Sequence, residues 1–217
     1  MKGCRVVLFK LLCLTMVFGH WASLGCGGGS GNSNCPNLTN SDLSNLNLDL
    51  AQSLMTLFAS QTLTVGGRPV NCSSGTRTND VGVDQDFSNC VFYGQTLNGK
   101  ISVTKTQGTG ANFTMQDFVI ATDTHVYTLS GDWQAADNLN NTFSASFNLN
   151  VTEKDIPADC TSIQIKNGFN YTPTSFSTST LVLSETNVQT ACDFNQKSAA
   201  DLLSEQGVKD LVQTSCK

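Results

Sequence analysis

Ten consecutive residues, Thr142 to Val151, alternate strictly between two chemistries. Phe143, Ala145, Phe147, Leu149 and Val151 fall on one side, and Thr142, Ser144, Ser146, Asn148 and Asn150 on the other. Successive side chains of an extended chain point to opposite faces, so this pattern predicts a strand with one wet face and one buried face. Lys100 to Thr104, His125 to Leu129 and Ile163 to Ile165 repeat the pattern more briefly, and Phe118 to Ala121 and Leu181 to Leu183 read as strands apolar on both faces. One-sided alternation belongs to antiparallel sheets. Gly66-Gly67, Asn98-Gly99, Gly108-Thr109-Gly110, Ser130-Gly131-Asp132, Asn138 to Asn141 and Asn167-Gly168 read as the turns between strands, because Gly and Asn accept positive φ.

Two segments follow a helical period instead. Between Ser41 and Ser60, Leu43, Leu46, Leu50, Leu54, Leu57 and Phe58 recur at spacings of three and four, with Asn40 or Ser41 placed to cap and Asp42 in the first turn. Ser198 to Thr214 carries Leu202, Leu203, Leu211 and Val212 in a shorter helical pattern interrupted by Gly207. The expected fold is mainly β: a curved antiparallel meander of about eight or nine strands, half-barrel-like, packed on an N-terminal helix, with a short C-terminal helix. Its layout resembles the open half-barrels of bacterial lipoprotein carriers.

The first 25 residues have Lys2 and Arg5, then an apolar stretch broken by Lys10, then small residues, as in a cleaved secretory signal peptide. Only about ten apolar-rich residues follow Lys10, short of the roughly 20 that cross a bilayer. The junction Ser23-Leu24-Gly25-Cys26 resembles the lipobox of bacterial lipoproteins. That resemblance implies a diacylglyceryl group on Cys26, and Gly27, rather than Asp, after the anchor implies sorting to the outer membrane, facing periplasm or surface. Residues 26–34 then form a lipidated Gly/Ser-rich tether, and 35–217 a single β domain.

The cysteine count agrees. Of nine cysteines, Cys4 and Cys13 leave with the leader and seven remain. Acylation of Cys26 leaves an even set for disulfides: Cys35, Cys72, Cys90, Cys160, Cys192 and Cys216. Spacing around the presumed hairpins suggests Cys72–Cys90, Cys160–Cys192 and Cys35–Cys216. No Cys-x-x-Cys occurs, so wide spacing favours disulfides over a metal site. Asn37, Asn71, Asn112, Asn140, Asn150 and Asn170 begin Asn-x-Ser/Thr triplets, the basis of a rival reading as a secreted eukaryotic glycoprotein, but a chain so rich in Asn, Ser and Thr yields such triplets by chance.

Charge narrows the partners. Losing Lys2, Arg5 and Lys10 with the leader leaves nine basic against 17 acidic residues, a net charge near −8. Such a surface lacks the cations that displace counterions from nucleic acid. A catalytic constellation is equally hard to build: His125 is the one imidazole after the leader, near Ser130 and Asp132 in sequence but without a Gly-x-Ser-x-Gly elbow. Asp80, Asp84 and Asp86 offer oxygens of the kind calcium takes, at spacings unlike an EF-hand loop. Trp133 and Tyr127 could stack a sugar, but two Trp and three Tyr are too few for an aromatic platform. The expectation is a non-enzymatic, cofactor-free, lipid-anchored envelope protein with a structural or partner-binding domain. The alternatives are a carrier with an apolar ligand against Phe143, Phe147 and Leu149, or an envelope hydrolase.

Overall fold

The structure, a computed structural model, describes residues 36–217 apart from 63, 66–67, 70, 79–83, 106–109, 139–141, 158–159, 161–162, 173 and 186. Its elements in chain order are α1 (Asn40–Thr62), β1 (Thr64–Val65), β2 (Arg68–Pro69), β3 (Ser74–Thr78), β4 (Gln85–Phe92), β5 (Gln95–Lys105), β6 (Ala111–Ala121), β7 (Val126–Asp137), β8 (Phe143–Glu153), β9 (Ile163–Tyr171), β10 (Phe176–Glu185) and β11 (Val188–Asp193). A 3-10 turn at Ala199–Leu203 and helix α2 (Glu205–Ser215) complete the chain. Strands β3 to β11 form one open antiparallel sheet of nine strands in strict sequence order, so the expected meander is present.

Helix α1 starts with a reciprocal cap. The Asp42 amide donates to the Thr39 hydroxyl at 3.2 Å, while the Asp42 carboxylate accepts from the Thr39 hydroxyl and amide at 2.7 and 2.8 Å. These bonds, the hydroxyl's first, hold the Asp42 carboxyl below its ordinary pKa. The cap is therefore Thr39, ahead of the expected Asn40 or Ser41. The larger difference is burial. From Leu50 to Gln61 every residue except Gln52 is buried, where one apolar face was expected. The reason is that α1 is covered from two sides: the sheet, β10 and β11 included, packs on one, while the 3-10 turn and α2 close the other. Each fully buried Leu or Phe contributes roughly 1.5–3 kcal/mol of transfer free energy.

The aromatic side chains of the sheet meet α1 at Phe58. Its ring lies 5.7 Å from Trp133, 5.5 Å from Phe169 and 5.2 Å from Tyr171. Phe113, Phe147, Phe176 and Phe194 extend this belt. Trp133 and Tyr127 are both fully buried, which removes them as a sugar platform. Phe147 and Leu149 likewise belong to the packed core.

Strand β8 shows the alternation read from its sequence, buried and exposed in turn from Ala145 to Glu153. Elsewhere bulges break the alternation. In β4 the inward residues run Gln85, Phe87, then Cys90 and Phe92; in β6 they run Phe113, Met115, then Phe118 and Ile120; in β10 they run Phe176, then Ser179, Leu181 and Leu183. At each break sits a non-glycine residue with positive φ: Asn89 at 47°, Asp117 at 50° and Thr178 at 48°. An extra residue flips the parity, so both halves of the strand face α1, and bulges also bend and twist the sheet. Phe118 to Ala121 and Leu181 to Leu183 are consequently buried mainly on one face, not two, with Val119 and Val182 only half-buried.

Three expected turns lie inside strands: Asn98-Gly99 in β5, Ser130-Gly131-Asp132 in β7 and Asn167-Gly168 in β9. Gly131 has φ 133°, and a Cβ there would lie 2.3 Å from the Asn148 carbonyl oxygen, so close cross-strand approach is what the glycine permits. The Asn167 amide nitrogen donates to the Phe147 carbonyl and its oxygen accepts from the Phe147 amide, continuing a β8–β9 ladder that otherwise ends at Ala145 and Phe169.

Two disulfides are formed among the described residues, Cys72–Cys90 and Cys192–Cys216. The first matches expectation; the second replaces Cys160–Cys192 and Cys35–Cys216. The C-terminus returns to β11, where Lys217 and Ala191 exchange backbone hydrogen bonds of 2.9 Å, and this places Cys216 beside Cys192. Cys160 is disulfide-bonded as well, and neither Cys26 nor Cys35 falls among the described residues.

The buried end of α1 is fastened to β4 by two carboxamides. Gln61 donates to Gln85 at 3.2 Å and Gln85 donates back at 2.9 Å, with both residues buried. Removing one partner strands the other, which costs about 1–3 kcal/mol, whereas replacing both with apolar groups of similar shape is nearly neutral. Urea unfolding should therefore find Gln61→Met destabilised by about that amount and the Gln61→Met/Gln85→Met double variant closer to the parent. A double variant as weak as the sum of the two single ones would contradict this account of the pair.

Candidate functional site

The exposed side of α1 carries a polar stripe at its N-terminal half. Asp42, Asn45, Asp49 and Gln52 follow one another at spacings of three and four, opposite the buried Leu43, Leu46, Leu50 and Leu54. This stripe faces the turn between β6 and β7, residues Thr122 to His125, and helix α2. A groove runs between the three elements. One compartment, about 490 Å³, is lined by the stripe, Thr124, His125, Val212 and Gln213. A second, about 240 Å³, shares Asp49, Gln52 and Thr124 with the first and adds Tyr93, Gly94, Gln95, Thr122, Asp123, Glu205 and Lys209.

Local chemistry explains why these segments sit as they do. In the β6–β7 turn, the Thr122 hydroxyl accepts from the Thr124 and His125 amides at 3.2 and 2.9 Å, and the Thr122 amide donates to the His125 carbonyl at 2.9 Å. A threonine turn of this kind substitutes a side-chain oxygen for a backbone acceptor. The β4–β5 connection uses Tyr93 and Gly94, both at positive φ (49° and 72°), as a two-residue hairpin requires. Tyr93 donates through its hydroxyl to the Leu202 carbonyl at 2.9 Å, which holds the hairpin against the segment leading into α2.

Asp49 is held firmly. Its Oδ2 accepts from the Thr122 hydroxyl at 2.9 Å and from the Tyr127 hydroxyl at 3.0 Å, the latter also lying 3.2 Å from the Leu46 carbonyl. Burial raises the Tyr127 pKa far above its ordinary value, and the nearby charges of Asp49, Glu153 and Glu185 add to the effect. Burial alone pushes Tyr171, in the aromatic belt, up to about 12.

His125 lies at the groove with its Nδ1 3.6 Å from Oε1 of the buried Glu153, whose other oxygen accepts from the Asp155 amide at 2.8 Å. Its sequence neighbours are engaged elsewhere: Ser130 donates to Asp117 at 3.3 Å and Asp132 accepts from Thr114 at 2.9 Å. The structure does not assemble His125, Ser130 and Asp132 into a triad. Of the acidic run, Asp84 pairs with Lys100 at 3.3 Å and accepts from the Val103 amide at 2.8 Å, the Val103 bond being the main reason its pKa is lowered. Asp80 falls outside the described residues, among which no group of three or more His, Cys, Asp or Glu is placed to hold a metal.

Reading the sequence for apolar periodicity overlooks this site, although the stripe of Asp42, Asn45, Asp49 and Gln52 was a usable signal. Gln95, Thr122 and Glu205 reach the same groove from distant segments and carried no such mark.

Tyr127 generates a pH prediction. The unfolded phenol loses its proton near pH 10, whereas the folded one keeps it, so the unfolded state binds fewer protons above that point and stability falls as pH rises. In denaturant titrations from pH 9 to 12, Tyr127→Phe should flatten that fall by one proton's worth, about 1.4 kcal/mol per pH unit. An unchanged alkaline slope would contradict the burial of a protonated Tyr127. No protein-family model, curated protein or solved structure matches this chain.

Proposed function

We propose that this chain is an exported envelope protein held at a membrane by acyl chains on Cys26, with a non-catalytic β domain that presents a binding surface to a partner. The observation that carries the reading is the enclosure of α1. A carrier of apolar cargo needs an empty apolar interior of several hundred Å³. Here the inward side chains of the sheet pack against Leu50, Leu54, Leu57 and Phe58. The spaces at the surface are instead mixed in character, and the groove beside α1 sets carboxylates, amides and hydroxyls next to Leu48 and Val212. That supports recognition at the surface over transport in the interior.

The anchor rests on sequence, with one supporting observation. The described cysteines are all disulfide-bonded, which fits an oxidising compartment. Among the described residues no helix is long and apolar enough to cross a membrane. Mass analysis of the mature amino-terminal peptide should find Cys26 first and carrying a diacylglyceryl thioether, and the intact protein should partition into a detergent-rich phase. An unmodified amino terminus in native material from the aqueous phase would sink the anchor. Cys26→Ser should move the protein to the aqueous phase without changing its unfolding midpoint.

A further inference from the structure

We propose that the seam between β8 and β9 takes up an extended segment of a partner protein as an added strand, with apolar side chains inward and an acidic one outward beside Lys166. The proposal gives the surface-recognition reading a partner chemistry and rests on it. The first observation is an interrupted ladder. β8 pairs with β9 only from Phe143 to Ala145, against Phe169 to Tyr171, whereas it pairs with β7 from Phe143 to Glu153, and β9 pairs with β10 from Ile163 onward. The chain passes from β8 to β9 through residues 154–162 rather than a tight turn. Where the ladder stops, the Asn167 carboxamide bonds both the amide and the carbonyl of Phe147, so a side chain stands between the two backbones.

These bonds fix which way the backbone groups point. Phe147 turns its amide and carbonyl toward β9, and residues along a strand alternate between its two edges, so Leu149 and Val151 turn theirs the same way. On the opposite wall the amide and carbonyl of Asn170 both meet the Ser179 hydroxyl of β10, so Ile163 and Ile165, of the other parity, face β8. Among the described residues these four have no strand pairing across the seam. Burial is the second, independent observation. Leu149, Val151 and Ile163 are 8%, 8% and 9% exposed, and among the described residues no other buried apolar side chain of a strand exceeds 6%. The core is least covered along the line where backbone pairing fails.

Together the two observations select the occupant. Facing rows of N–H donors and C=O acceptors at the strand repeat are answered by another peptide strand, which carries both groups on both edges. A lipid or other apolar molecule would cover Leu149 and Val151 and leave those backbone groups unmet. Side chains of the added strand alternate like those of its neighbours: positions beside Leu149, Val151 and Ile163 face the core, and positions beside Asn148, Asn150, Gln164 and Lys166 face solvent. Lys166 is the one charge in that outward group, and a carboxylate complements it.

The test uses the purified mature protein, isotope-labelled, and the peptide acetyl-Thr-Val-Asp-Val-Thr-Val-amide. The peptide should give saturable shifts at the Leu149, Val151, Ile163 and Ile165 amides and slow their exchange with solvent about tenfold. An inserted strand bonds on both edges, so N-methylating either alternate set of its amides should weaken binding by about tenfold or more; a strand added at the open edge, β3, uses only one set. Lys166→Glu, at an exposed position, should weaken the peptide about threefold, and replacing the peptide's Asp by Lys should restore that loss. Binding that survives either methylation, an affinity unchanged in Lys166→Glu, shifts at Ser74 to Thr78 in place of the seam, or no saturable shift would each overturn the proposal. Shifts at β3 alone would keep surface recognition and move its site, and none of these readouts involves Cys26, so failure here leaves the anchor standing.

Discussion

Helix α1 is enclosed, and that enclosure imposes the other features of the fold. The C-terminal half of the helix, buried from Leu50 to Gln61 apart from Gln52, must be covered by something wide enough to surround it. Nine strands in sequence order supply the width on one side, and the chain end folds back through the 3-10 turn and α2 to supply the other. Some polar groups of α1 are used as fasteners, while the side chains of Asn47, Ser53 and Thr56 are buried without a hydrogen-bond partner among the described residues. Gln61 joins the helix to β4, the Leu46 carbonyl and Asp49 meet Tyr127 of β7, and the Ser60 carbonyl accepts from Arg77 of β3. Because these fasteners reach β3, β4 and β7, from one edge of the sheet to its middle, they fix the rotation of the helix as well as its position.

A flat sheet could not wrap a single helix, so curvature had to be built into the strands. The breaks at Asn89, Asp117 and Thr178 do this while restoring an inward face on either side of each bulge. These breaks also mark the limit of what was legible in the sequence. Where no bulge intervenes, as in β8, alternation read residue by residue matches burial residue by residue. Where a bulge shifts parity, Phe113 and Phe118 both point inward although they are five residues apart, and periodicity cannot show it. The glycines misled for a related reason. Gly131 resembles a turn signal locally, but its missing side chain serves a neighbouring strand. The meander, the two helices and the class of the fold were legible because they follow from local periods; bulges and close approaches are tertiary facts.

Both edges of the open sheet are secured covalently. Exposed edges invite pairing with other chains, and an open meander has two. At one edge, Cys72 is joined to Cys90 of β4, which holds the segment entering β3. At the other, the C-terminal residue pairs with β11 while Cys216 is joined to Cys192. The expected pairing would have joined β11 through Cys192 to Cys160 and left the returning chain end without a covalent tie to that strand. Spacing measures distance along the chain, whereas a disulfide reports which edge a terminus returns to.

The location of the groove follows from the same enclosure. Burial along α1 rises from its capped N-terminus, where Asp42 and Asn45 are exposed, to its C-terminal half, where nearly every residue is inside. The demand for apolar packing is therefore lifted at one end of the helix, and that end can carry Asp42, Asn45, Asp49 and Gln52 without cost to the core. The β6–β7 turn and α2 stand beside it, each held by its own hydrogen bonds: Thr122 within the turn, Ser204 at the start of α2. A rigid frame that leaves a charged strip uncovered presents fixed hydrogen-bonding groups with little ordering left to do on binding. Half of this arrangement, the stripe on α1, was written at helical spacing in the sequence. The other half, Gln95 and the threonine turn, reaches the groove only because the strands between them fold into a meander around a buried helix.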